Sequence, residues 1–285
     1  MSKRVEIVEV GPRDGLQNEP RPIPVAEKIA LIDCLSGVGF RRIEAASFVP
    51  PKWVPQMAGS ADVMAGIQRA PGVIYSALTP NLRGFQDALA AKAGEVAVFG
   101  SASEGFSRAN INASIAESLE RFGPVMAAAN KAGVPVRGYV SCVVDCPYDG
   151  PVSPGAVAKV TRALLEMSCH EVSLGDTLGQ ATPERVDAML REVLGVAEPR
   201  QLAGHFHDTS GRAVDNVMVA IDHGLRVFDA AVGGLGGCPY APGAAGNVAT
   251  GRLAEALAAA GCDHGLDMGI LAEAAAMAAR MREAA

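Results

Sequence analysis

Eight short runs rich in apolar and β-branched residues alternate, one for one, with Ala-rich runs of helical length. The strand-like runs fall near 4–10, 41–46, 72–77, 95–100, 135–141, 170–174, 201–206 and 226–231. The helical runs fall near 25–37, 59–69, 81–93, 112–132, 154–167, 183–194, 211–223 and 246–260. Strands separated by helices pair in parallel, because a parallel neighbour needs a crossover far longer than a hairpin turn. Eight such units in series predict closure, so the expected fold class is α/β, a (β/α)8 TIM barrel. A ninth helical run near 267–283 packs on its outside. The barrel is read as one domain over 4–271, with 272–285 as an additional C-terminal helix. A chain of 285 residues, 49% hydrophobic, can bury such a core.

Local chemistry supports the boundaries. Thr182 before Pro183 and Asn81 after Pro80 are helix N-caps. Gly94, Gly133 and Gly261 follow Ala-rich runs as C-terminal glycines do. The long irregular stretches, about 47–58, 101–110, 142–153 and 232–245, each follow a strand. In a barrel that places them on the catalytic face.

That face collects the chemistry. His205 and His207 lie two apart at the end of a strand, so both rings point to one side. Near the N-terminus an apolar strand opens onto Gly11-Pro12-Arg13-Asp14-Gly15. Asp14, Glu44, His205 and His207 all fall at or just past strand C-termini, which form one ring. A carboxylate and two neutral imidazoles suit a divalent ion such as Mg²⁺, Mn²⁺ or Zn²⁺. Arg13 can hold a developing oxyanion, pair with Glu44, or do both.

Gly233-Gly234-Leu235-Gly236-Gly237 leads into Cys238, a loop that can approach a ligand and deliver a thiol as proton donor. Asn247, farther on, is either the N-cap of the next helix or a further metal ligand. Gly175-Asp176-Thr177 supports the site or caps a helix, while Ser47, Asn110 and Asn112 lie on loops facing the substrate. His170, His223 and His264 are read as hydrogen-bonded core histidines, and Cys142 and Cys146 as buried thiols.

Other classes lack their signatures. There is no G-x-S-x-G for a serine hydrolase, and lysine is scarce at strand ends, against a Schiff-base aldolase. A net charge of −6 argues against non-specific nucleic-acid binding. No apolar run reaches membrane-spanning length and no signal core follows Met1, so a cytoplasmic protein with six free thiols is expected.

Gly11 to Glu19, Ser47-Phe48-Val49, Pro51 to Met57, Leu78 to Leu82, Ser173 to Thr177, His205 to Thr209 and Gly234 to Ala241 together resemble the 3-hydroxy-3-methylglutaryl-CoA lyase family. The resemblance runs in order from about residue 4 to about 270, and the cysteine loop is its most specific part. It implies cleavage of an acyl-CoA thioester, hydroxymethylglutaryl-CoA, to acetyl-CoA and acetoacetate, as in leucine degradation. It implies Asp14, His205, His207 and Asn247 as ligands of Mg²⁺ or Mn²⁺, and Arg13, Asp14, Glu44 and Cys238 as catalytic. Arg13, Gln17, Ser47 and Thr177 are the expected substrate contacts.

Two positions depart from the family pattern: Pro20 stands where a lysine near the CoA is common, and Gly251 where an acidic residue is common. Related lyases accept other branched acyl chains. Within the same superfamily the rival is a condensing synthase, and outside it a non-catalytic CoA- or metal-binding barrel. The apolar face of the last helix, Ile270 to Met281, packs on the barrel or on a second subunit, and a dimer is expected.

Overall fold

The computed structural model describes residues 3–238 and 241–283, with backbone alone for 3, 237–238, 241–245 and 283. Eight parallel strands close the barrel in chain order: β1 (Glu6–Glu9), β2 (Arg42–Ser47), β3 (Ile74–Leu78), β4 (Glu95–Ser101), β5 (Val136–Ser141), β6 (Glu171–Asp176), β7 (Leu202–Phe206) and β8 (Val227–Ala230). The ring is completed by β8 beside β1, with Phe228 opposite Ile7, and by β6 beside β7.

The helices are α1 (Val25–Ser36), α2 (Ser60–Gly66), α3 (Leu82–Ala90), α4 (Glu104–Ile111), α5 (Ile115–Ala132), α6 (Pro154–Glu166), α7 (Pro183–Val193), α8 (Ala213–Asp222), α9 (Thr250–Ala259) and α10 (Met268–Glu283). The (β/α)8 expectation holds, including the extra C-terminal helix. Among the described residues, no helix is long and apolar enough to cross a membrane.

Thr182 and Asn81 cap α7 and α3 as expected, each accepting a backbone N–H from three residues on. Gly133 ends α5 in the left-handed conformation (φ 67°), and Gly261 follows α9 with φ 73°. Gly94 does not cap α3. Lys92 takes the left-handed position there (φ 60°), and Gly94 leads into β4.

The stretch 101–110, expected to be irregular, contains most of α4. Its Ser103 N-cap accepts from Phe106 N–H, and Asn112 closes it at φ 49°. Asn110 and Asn112 therefore sit on a helix and its C-cap, both exposed, and not on a loop.

The last helix settles onto the barrel. Leu271, Ala274, Ala278 and Met281 are buried, and α10 packs on α1 and on the turn Val232–Gly234. Arg282 at its end bonds Glu19 and the carbonyls of Gly233 and Gly234.

The barrel interior is charged. Arg42 reaches from β2 across to Glu171 on β6 (2.9 and 3.1 Å) and holds Glu6 at 2.7 Å. Arg137, 2% exposed, bonds Glu171 (2.7 Å), Asp229 (2.8 Å) and the Tyr139 hydroxyl (2.9 Å). Buried charges persist only when paired and hydrogen-bonded, and each arginine here has at least two carboxylate partners.

Candidate metal centre and active site

The chain leaves β1 in a tight helical turn, Gly11–Gly15, whose amides from Arg13 to Gly15 all return to the Val10 carbonyl. The turn throws both Arg13 and Asp14 inward. Arg13 donates to Glu44 through Nε (2.8 Å) and lies 2.6 Å from it through a terminal nitrogen. The other terminal nitrogen donates to Asp14 Oδ1 at 2.7 Å. The expected ion pair with Glu44 is present, and Asp14 is a second carboxylate partner. The fork is fixed in direction before any ligand arrives.

Asp14 Oδ2 faces the histidine pair. It lies 3.8 Å from His205 Nε2 and accepts 2.8 Å from Asn247 Nδ2. His205 and His207 both extend from the end of β7 and are 9% exposed. Their Nε2 atoms stand 3.3 Å apart. His205 Nδ1 lies 3.1 Å from Asp229 Oδ2, and the same oxygen accepts from Ser173 Oγ. A carboxylate behind the ring fixes the proton on Nδ1 and turns the Nε2 lone pair toward the cluster.

The electrostatics match a cation site. Burial raises the Asp14 carboxyl, but Arg13 and the two imidazoles outweigh it and bring it to about 2. Burial and the neighbouring His205 push His207 down to about 4, so it stays neutral. For His205, burial works downward, but Asp229 prevails and raises it. Burial also raises Glu44, against the pull of Arg13. The donor atoms of Asp14, His205 and His207 lie within 4.8 Å of one another. Two ring nitrogens facing each other beside a carboxylate call for a positive charge between them, so the residues fit a divalent ion.

Asn247 is not a helix N-cap. Ala249 holds that place for α9, without a side-chain bond. Asn247 bridges to His207 through its backbone, and its amide reaches Asp14. Rotating that amide by half a turn presents Oδ1 where Nδ2 now stands.

The glycine-rich segment lies directly on the Arg–Asp turn. A Cβ on Gly15 would come within 2.7 Å of Leu235 Cβ, and one on Gly236 within 3.1 Å of Gly15 Cα. Only glycine permits this contact, and Gly236 also needs φ 91°. Gly237–Cys238 then pairs antiparallel with Ala241–Ala245 as a hairpin. The Cys238 thiol, called as a proton donor, lies outside the described side chains.

Ser47 ends β2 and is buried, its hydroxyl accepting from Val49 N–H. Thr177 follows β6 and accepts from Cys142 N–H at 2.9 Å. Gln17 is half-buried just past the Arg–Asp turn. Asp176, expected to support the site or cap a helix, accepts from Gly179 and Ala181 amides and so shapes the β6–α7 loop.

Cys142 and Cys146 are buried, as expected. His170, His223 and His264 all make hydrogen bonds, to Glu95, Asp187 and the Leu266 amide, but none is a core residue. The residues missed from sequence are Asp229, Arg137 and Glu171. Asp229 and Arg137 are each the one charge in their strand, and that isolation was the available signal; Glu171, beside His170 at the start of β6, carried none.

The HMGL-like family model matches residues 4–278. A 3-hydroxy-3-isohexenylglutaryl-CoA/hydroxy-methylglutaryl-CoA lyase from Pseudomonas aeruginosa is 55% identical over 274 residues, covering 96% of this chain and 91% of its own. The crystal structure of an HMG-CoA lyase from Brucella melitensis superposes with a TM-score of 0.98 at 60% identity, covering 99% of this chain and 100% of its own. An HMG-CoA lyase from Acinetobacter baumannii, in complex with coenzyme A and 3-methylmalate, matches with a TM-score of 0.93 at 38% identity over 98% of this chain and 91% of its own.

Proposed function

The chain belongs to the HMGL-like family, and from that membership we propose that it is a divalent-metal-dependent carbon–carbon lyase cleaving 3-hydroxy-3-methylglutaryl-CoA to acetyl-CoA and acetoacetate. The observation that carries this reading is Asp14 held between the Arg13 guanidinium and the His205–His207 pair at the mouth of the barrel. A binding protein has no use for an arginine and a metal-type cluster sharing one carboxylate.

Asp14, His205, His207 and the Asn247 amide oxygen are the proposed ligands of Mg²⁺ or Mn²⁺. Bound there, the ion supplies a Lewis acid to the substrate's tertiary hydroxyl. The chain's own residues do the rest. Arg13, aimed by Glu44, donates hydrogen bonds to the oxygen that gains negative charge. Asp14 and the neutral His207 are the two groups placed to take the hydroxyl proton.

As the C3 carbonyl forms, the C2–C3 bond breaks and its electrons pass into the thioester as an enolate. Cys238, on the hairpin that follows the glycine-rich turn, is the proposed donor that returns a proton to C2 of that enolate. Gln17, Ser47 and Thr177 are proposed to contact the acyl-CoA.

A second substrate is favoured by one finding: the P. aeruginosa relative is named for an isohexenylglutaryl thioester as well. The deciding experiment incubates purified protein with hydroxymethylglutaryl-CoA and Mg²⁺ or Mn²⁺, reading acetoacetate and acetyl-CoA. Equimolar products support the reading. No cleavage with either ion, alongside turnover of a longer branched thioester, moves the specificity to that substrate, and inertness toward both abandons the lyase. Cys238→Ser is expected to slow turnover by roughly 10²–10⁴-fold while leaving metal content unchanged.

A further inference from the structure

Glu9, the last residue of β1, is fully buried and lies outside the ligand set. Its Oε1 accepts from Gly11 N–H and from Val232 N–H, each at 2.8 Å. Its Oε2 accepts from the Thr250 hydroxyl at 2.7 Å. The three donors come from three separate segments, and each opens or closes one that serves the site. Gly11 begins the turn carrying Arg13 and Asp14. Val232 begins the glycine-rich turn that leads to the Cys238 hairpin. Thr250 begins α9 and fixes the far end of the short segment holding Asn247.

The fit is tight. A Cβ on Gly11 would stand 2.6 Å from Glu9 Oε1 and 3.2 Å from Val232 N, so the two backbones meet around the carboxyl without slack. A second register marks the same junction: Ala231 bridges to Ala249, one residue before each of two donors. Burying a carboxyl costs free energy that an apolar side chain would not, and here burial pushes Glu9 up to about 7 despite its three bonds. Such a group is better explained by what it aligns than by what it stabilises.

We propose that Glu9 is a positioning residue that sets the Arg13–Asp14 turn, the root of the cysteine hairpin and the Asn247 segment in one mutual register. Without it, three buried donors lose their shared acceptor, and the three segments relax independently. Misplacement by about 1 Å is enough to cost roughly 10²-fold in rate. The kinetic consequence rests on the lyase reading; the metal-binding consequence does not.

Three variants test this. Glu9→Ala is expected to lower kcat about 10²-fold with KM little changed, and to weaken Mn²⁺ binding, titrated by electron paramagnetic resonance without substrate, about tenfold or more. Glu9→Gln keeps the two-amide acceptor and can donate to the Thr250 hydroxyl, so it should restore most of both quantities. Glu9→Asp keeps the charge but is one methylene shorter, and should fall well below Gln.

The order Gln above Asp supports reach over charge and remains readable if the Ala variant fails to fold. Wild-type kcat and Mn²⁺ affinity in Glu9→Ala would overturn the proposal, as would Asp matching wild type while Gln fails. If the wild type itself cleaves no hydroxymethylglutaryl-CoA but the Mn²⁺ affinities keep this order, the lyase reading falls and the positioning role stands.

Discussion

Acidic side chains in this barrel are driven in opposite directions by what they face. For Asp229, burial raises the carboxyl, but Arg137 and His205 reverse that and hold it below the usual range. Glu9 meets only neutral donors, and burial wins. The difference has a measurable sign. Glu9 titrates at about 7 in the fold against 4.5 ordinarily, so between those values the folded protein keeps a proton that the unfolded chain has released. Stability then falls as pH rises through that window and levels off above it.

Glutamine does not titrate. The stability of Glu9→Gln relative to wild type should therefore improve from pH 5 to pH 8 by up to about 3 kcal/mol. Urea midpoints at the two pH values give the answer, and an unchanging difference would mean the carboxyl is not held as described. Legibility at this scale followed position. Asp14, His205 and His207 stood at strand ends and were readable. Asn247 was ambiguous, since a short amide ahead of a helix looks like a cap, and only the position of the α9 N-cap at Ala249 rules that out.

Helices and strands were legible wherever their period was strong. All eight barrel strands fall where alternation and β-branched runs placed them. The exception among the helices is α4, where only Phe106 and Ser107 are buried in eight residues, leaving almost no apolar stripe to read. Its neighbour α5 carries a local defect instead. Gly123 sits mid-helix beside Pro124, and a Cβ built on Gly123 meets nothing within 4 Å outside its own chain neighbours.

Glycine there leaves the unfolded chain extra freedom without any packing return. Gly123→Ala lowers the freedom of the unfolded chain but sets a Cβ against the Pro124 ring in the helical conformation. It is therefore expected to leave stability within about 0.5 kcal/mol of wild type with activity unchanged, because α5 lies on the outer ring. Paired chemical denaturation of variant and wild type measures it. A larger loss of stability would show that the helix is kinked at Pro124 in a way that excludes a side chain.

At the scale of the whole molecule, the barrel is organised around charge. Arg42 and Glu171 join opposite walls, Arg137 joins Glu171 to Asp229, and Asp229 reaches His205 of the Asp14–His205–His207 cluster. The strand order was readable from the chain, but this axis was not. A single charge in an apolar strand has no partner until closure brings opposite walls together. Arg137 is the hub. Replacing it with methionine fills similar space but strips Asp229 of its arginine and leaves it facing Ser173 and His205.

Breaking one side of a buried ion pair costs about 3–5 kcal/mol, on the order of 10 °C in thermal midpoint for a chain this size. The pH dependence identifies the cause. Asp229 is depressed in the wild type, so its contribution is present above the ordinary carboxylate range and is lost as pH falls below it. The variant lacks that contribution at every pH, and protonation relieves its unpaired carboxyl. The gap between wild type and Arg137→Met should therefore narrow from pH 6 to pH 3. A gap that holds constant across that range would mean Arg137 acts by packing alone, and that the charged axis does not bind the walls of the barrel together.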